Sequence, residues 1–150
     1  MSKHFTGEFH HSLDAKGRVS VPSSFRDQLG GTFWIGRGLD PNCLVIYDEE
    51  DWNAFSERLD AIPYNNSRAR ELVRYFQTGT MKVEIDRQGR ILLSQQLRDY
   101  VHIDRNVVFA GNGKRAELWS EEAYNEYSRK LTTENMQEIA DGLLAEGFQI

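Results

Sequence analysis

The chain has 150 residues, 39% apolar and 11% aromatic, enough to build a core and too apolar for global disorder. Its net charge of −5 argues against indiscriminate coating of nucleic acid, and its single cysteine, Cys43, excludes an intrachain disulfide and fits a reducing, cytoplasmic setting. No apolar run approaches the ~18 to 20 residues needed to cross a bilayer, and the opening MSKHFTGEFHH lacks the apolar stretch of a secretory signal.

In chain order, Phe9, His11 and Leu13 alternate with Glu8, His10 and Ser12, the period of a half-buried strand. Asp14-Ala15-Lys16-Gly17 follows. A type I turn favours Asp at its first position, where the carboxylate caps backbone N–H groups, and Gly at its fourth, where φ can be positive. This predicts a bulged hairpin with Arg18 to Val21 as its return strand. A short helix is expected over Ser24 to Leu29. Strands are expected over Thr32 to Ile35 and Cys43 to Tyr47, with Gly36-Arg37-Gly38 as turn material between them. Glu50 to Leu59 carries Trp52, Phe55 and Leu59 at helical spacing. The run Asp48-Glu49-Glu50-Asp51 suits the positive end of that helix's dipole. Beyond Pro63, a second helix over Asn66 to Gln77 aligns Ala69, Leu72, Val73 and Phe76, with Arg70 and Arg74 on its polar side.

The second half repeats the first. Ser12-Leu13-Asp14-Ala15-Lys16-Gly17-Arg18-Val19 matches Glu84-Ile85-Asp86-Arg87-Gln88-Gly89-Arg90-Ile91 at an offset of 72. The same offset aligns Arg26-Asp27 with Arg98-Asp99 and Tyr47 to Asn53 with Trp119 to Asn125. Between these blocks the register shifts and returns, as loop insertions in a duplicated unit would produce. The second copy therefore predicts a strand through Met81, Val83 and Ile85, a turn at Asp86 to Gly89 and a strand over Arg90 to Leu93. A short helix over Gln95 to Val101 comes next, then strands over Val107 to Ala110 and Ala116 to Trp119, and a helix over Glu121 to Leu131. Gly111-Asn112-Gly113 is again turn material. A last helix, Thr133 to Glu146, places Met136, Ile139, Ala140, Leu143 and Leu144 on one stripe that must dock on its own chain or on a neighbour. The division is then two β-rich domains at 8–51 and 80–123, a connecting helix within 61–78 and a C-terminal helix within 132–150.

Gly7 to Arg18, continued by Val21-Pro22 and Phe25-Arg26, resembles the opening of MraZ-family proteins. Asp86-Arg87-Gln88-Gly89-Arg90, Leu97-Arg98 and Glu117-Leu118-Trp119 resemble that family's second copy, with Ser94 in place of a frequent proline. The resemblance covers roughly residues 5 to 130. It implies a mixed α/β, mainly β fold of two intertwined SpoVT-AbrB units, swapped-hairpin-like, with peripheral helices. It also implies a nucleoid-associated, ring-shaped homo-oligomer that binds promoter repeats of the division and cell-wall gene cluster, its own promoter included. The DNA-contact residues carried over are Lys16 and Arg18, with Arg87 and Arg90 as second-copy counterparts. Lys3 is placed with them as a further basic residue near the N-terminus.

The residues leave alternatives open. Asp14, Gly17, Asp86 and Gly89 are accounted for by turn geometry. Arg18 can balance a turn carboxylate, or its guanidinium can fork onto phosphate or guanine from a ribbon that fits a major groove. Arg68, Arg70 and Arg74 read as a solvated face or a DNA contact. His4, His10 and His11 have no Cys or His at metal-site spacing, so no metal or other cofactor is expected. No paired carboxylates, triad or cofactor fingerprint marks an enzyme or a small-molecule substrate. The alternative to a regulator is an AbrB-like antitoxin or protein-interaction module.

Overall fold

The computed structural model describes residues 3–150. Its main sheet has six strands in the order β1 (Glu8–Ser12), β7 (Asn106–Asn112), β8 (Arg115–Ser120), β4 (Cys43–Asp48), β3 (Thr32–Arg37) and β5 (Thr80–Glu84). A separate ribbon pairs β2 (Arg18–Ser20) with β6 (Arg90–Leu92). Six helices surround them: α1 (Ser23–Leu29), α2 (Glu49–Asp60), α3 (Ser67–Thr78), α4 (Gln95–Tyr100), α5 (Glu121–Ser128) and α6 (Thr133–Ala145). Helix claims more residues than strand, but the helices are peripheral and the strands carry the centre. The fold is the mixed α/β, intertwined pair of repeats that the resemblance implied. Among the described residues no helix is long and apolar enough to cross a membrane.

Strand exchange joins the two repeats. β1 of the first pairs antiparallel with β7 of the second, and β5 of the second pairs with β3 of the first. β2 and β6 pair across the same pseudo-twofold, centred on Val19 opposite Ile91. The expected local hairpins are thereby corrected. Gly17 N–H donates to Asp14 O at 3.0 Å and Asp14 N–H to Arg18 O at 2.8 Å, so the turn closes. Beyond it the arms part, β1 into the sheet and β2 into the ribbon. Pairing with the other repeat buries Leu13 and Val19 in the common core, which a free-standing two-stranded hairpin could not provide.

The glycine-rich segments are a second correction. Gly36 and Arg37 lie inside β3, and Gly111 and Asn112 inside β7, not in turns. A Cβ on Gly36 would fall 2.9 Å from the Thr80 Cα, and one on Gly111 2.4 Å from the backbone of Phe5 and Thr6. Both glycines permit the exchanged segment to approach closely. Gly38, in the connection from β3 to β4, and Gly113, at φ +69° between β7 and β8, lie in connecting segments as expected. A smaller difference is α5, which ends at Ser128 rather than Leu131.

The sheet's inner face presents Phe33, Ile35, Leu44, Ile46, Val107, Phe109, Ala116 and Leu118, all fully buried. The ribbon closes over them with Val19 and Ile91, and α1 and α4 add Phe25, Leu29 and Leu97. The outer face is aromatic. Trp34 and Trp52 stack there, and Phe55 bridges Tyr47 to Phe76 of α3. At the other end Cys43, Val108 and Trp119 meet Ala123 and Tyr124 of α5. Cys43 is a small buried core residue, and burial pushes its thiol upward in pKa.

Candidate nucleic-acid interface

The ribbon brings the two Asp-x-x-Gly-Arg turns to its opposite ends, since each turn immediately precedes one of its antiparallel strands. The backbone crosses between them: Leu93 N–H donates to Gly17 O at 2.9 Å and Val21 N–H to Gly89 O at 3.0 Å. Asp14 Oδ1 accepts from the N–H groups of Lys16 and Arg18 at 2.8 and 2.9 Å. Asp86 Oδ1 does the same for Gln88 and Arg90, both at 2.9 Å. These backbone donors hold both carboxyls below their ordinary pKa, with Arg18 N–H the main cause at Asp14 and Arg90 N–H at Asp86. Gly17 and Gly89 sit at φ +84° and +76°, the left-handed region that glycine occupies without penalty.

The arginines break the symmetry. Arg90 Nε donates to Asp86 Oδ2 at 3.0 Å, and its Nη1 lies 3.5 Å from Asp14 Oδ2 across the pseudo-twofold. Arg90 is thus held by both turn carboxylates. Arg18 forms no ion pair among the described residues, although Asp14 is its neighbour, and it is only half-buried. Lys16 and Arg87 are exposed at the turn apices. Four cations against two carboxylates, both engaged with backbone and Arg90, leave a surface able to accept phosphate, with its free donors concentrated in the first repeat.

Lys3 is not part of this cluster. Its ammonium pairs with Asp48 and lies 3.5 Å from Asp51, and the Asp48 hydrogen bond raises its pKa. Asp48 is also the N-cap of α2, accepting Asp51 N–H at 2.8 Å. His10 and His11 point to opposite faces. His10 binds Glu8 and Glu121, whereas His11 meets the Phe109 ring edge-on. No group of three or more potential metal ligands occurs among the described residues.

Two further residues belong to the site. Arg26 of α1 donates Nε–H to Val21 O at 3.0 Å and lies against Gly89 of the other repeat. Arg98 of α4 donates to Leu93 O at 3.1 Å and lies against Gly17. The offset of 72 aligned this pair, but nothing in the sequence showed that each would cross over. Ser94, where the first repeat has Pro22, has a local role: its hydroxyl caps α4 by accepting Leu97 N–H at 3.3 Å, and α1 has no side-chain cap.

The family model described as "MraZ protein, putative antitoxin-like" matches residues 4–75 and again 76–145. A protein of Carboxydothermus hydrogenoformans named transcriptional regulator MraZ is 44% identical over 123 residues, 82% of this chain and 85% of its own length. One of the same name from Lachnoclostridium phytofermentans is 45% identical over 137 residues, 91% of this chain and 93% of its own. That of Syntrophomonas wolfei is 38% identical over 144 residues, 96% and 99% of the two chains.

Proposed function

Since the chain belongs to the MraZ family, we propose that it is a DNA-binding transcriptional regulator acting as a homo-oligomer in the cytoplasm, at the nucleoid. The relatives' name, transcriptional regulator, supports this reading. Its target is double-stranded promoter DNA carrying short repeats, ahead of the division and cell-wall gene cluster and including its own promoter. Its units are the domains 8–51 and 80–123, with a connecting helix within 61–78 and a C-terminal helix within 132–150. It needs no cofactor and carries out no catalysis.

The observation that carries the reading is the pair of basic turns at the ends of one ribbon, the first with Lys16 and Arg18 uncommitted. Lys16 supplies a phosphate contact, and Arg18 supplies a forked contact to phosphate or to a guanine edge. Arg87 and Arg90 form the secondary site, weakened by the engagement of Arg90. Each ribbon offers few contacts, so several copies on several repeats supply the affinity by avidity. Gel shifts with the chain's own promoter against scrambled DNA at matched salt test this. Tight binding to the promoter alone is expected. Equal binding to both, or binding by Arg18→Ala as tight as wild type, would sink it.

A further inference from the structure

Helix α6 is amphipathic, and its apolar stripe is at most half-buried by its own chain. Thr132 caps it, its Oγ1 accepting Asn135 N–H at 3.1 Å. No residue of the helix is buried, and Ile139 and Leu144 are 54% and 53% exposed. Met136, Ile139, Ala140, Leu143 and Leu144 nonetheless form one stripe. Isolated helices of about this length are marginal in water, and in proteins the burial of such a face stabilises them. The remaining surface is acidic: Glu134, Glu138, Asp141 and Glu146 occur here, with no Lys or Arg after Lys130. That charge excludes a nucleic acid as the partner of α6 and calls for a cationic apolar surface.

The body carries such a surface. Between the end of α2 and the start of α3 lies an open cleft of about 310 Å³. Ile62, Ala69 and Val73 supply apolar wall, and Arg70 and Arg74 stand on its rim. Tyr64 flanks it, 84% exposed, its carbonyl accepting from Arg70 Nη1 at 2.7 Å. Asp60 is the one carboxylate among the lining residues. Arg68, Arg70 and Arg74 form no ion pair among the described residues, and Leu72 beside them is 41% exposed.

We propose that α6 of one copy docks in the α2–α3 cleft of a second copy. The stripe covers Ile62, Ala69 and Val73, and the flanking acids face Arg70 and Arg74. Helix and cleft are different surfaces of the same chain, so the contact is head-to-tail, and an open assembly keeps a free helix at one end and a free cleft at the other until it closes. The inference rests on the self-association within the function proposed above and is independent of the DNA contact.

Sedimentation of the full chain without DNA tests it. Wild type is expected to be assembled. The tail variant Ile139→Asp/Leu143→Asp and the cleft variant Arg70→Glu/Arg74→Glu are each expected to sediment as monomers, with unchanged circular dichroism. Mixed in equal amounts they are expected to form dimers and nothing larger, because one contributes only a cleft and the other only a helix. A monomeric wild type, a variant that assembles as wild type does, or a mixture that stays monomeric would each overturn the proposal. So would restored assembly beyond the dimer. The substituted positions are exposed or half-buried, so folding should persist. Adding Glu138→Lys/Asp141→Lys to the folded cleft variant should restore assembly by reversing both charges, and failure to do so counts against the proposal. If charge reversal unfolds the chain, the milder Arg70→Gln/Arg74→Gln takes its place, and its assembly as wild type does counts against the proposal. Because no DNA is present, none of these outcomes depends on whether Arg18→Ala abolishes the gel shift.

Discussion

The guanidinium of Arg98 lies against the backbone of Gly17: a Cβ on that glycine would stand 3.2 Å from Nη2 and 3.3 Å from Cζ. Arg98 belongs to the second repeat and Gly17 to the first. The reverse contact, Arg26 on Gly89, is tighter still, at 2.7 Å from Nη1. Each turn is therefore shaped partly by an arginine of the other repeat.

The first prediction concerns that contact. Gly17→Ala forces an L-residue to φ +84° against Arg98 and the Leu93 carbonyl, at a cost of about 1–2 kcal/mol from the backbone alone. Gly30→Ala meets the same backbone penalty at φ +82° but touches nothing within 4 Å. In urea titrations both variants should be destabilised, Gly17→Ala by more. Only Gly17→Ala should weaken the gel shift with promoter DNA.

The two turn arginines should separate in the opposite sense. Arg18→Ala removes a side chain with no ion-pair partner among the described residues, so stability should change little while DNA binding falls. The slope of log K against log salt should become shallower by about 1 if a phosphate contact is lost. Arg90→Ala gives up its contacts to Asp86 and Asp14, a partly exposed arrangement that solvent screens. Its loss should show in thermal unfolding more than in DNA affinity. Equal effects of the two substitutions on binding would contradict the asymmetry.

A pH dependence attaches to His10. Hydrogen bonds from the ring to Glu8 and then to Glu121 raise its pKa above the ordinary 6.5. The folded chain thus holds this proton more tightly than the unfolded chain. The resulting stabilisation is complete below about pH 6.5 and disappears as pH rises through the higher folded value. Glu121→Gln weakens it. The difference in melting temperature between wild type and this variant should be larger at about pH 5.5 than at about pH 8.5. A constant difference would remove His10 from the account.

Gly111→Ala tests the strand exchange. The added methyl would enter the backbone of Phe5 and Thr6 at 2.4 Å, where no side-chain rotation relieves it. Overpacking of this kind costs about 1–3 kcal/mol. The segment around Phe5, which hydrogen-bonds Gly113 through Phe5 N–H at 2.7 Å, should lose protection in hydrogen exchange before β8 does.

Local patterns made much of this legible. Alternation at Phe9, His11 and Leu13 marked β1, and the Asp and Gly positions marked both turns, because these features depend on neighbours within a few residues. The intertwining of the two repeats was implied by family resemblance, but the pairing of β1 with β7 was not read, since alternation says which face is buried and not against what. Gly36 and Gly111 were read as turn glycines because their real requirement, space for Thr80 and Thr6, arises from residues distant in sequence. Arg18 and Arg90 occupy equivalent positions of the duplicated motif. Their difference is a side-chain choice, Arg90 reaching both carboxylates, which the duplicated motif does not encode.

The partner of β1 has a consequence for synthesis. His10 pairs with Val108, so this strand is translated long before the segment that completes it. At typical elongation rates the delay is about 5–20 s. During that interval Phe9 and Leu13 stand on an open edge, the kind of surface that recruits the wrong strand. Chains terminated before β7 should therefore accumulate as aggregates rather than as half-sized folded units, and a cell making this protein depends on chaperones or on fast completion to bring it through.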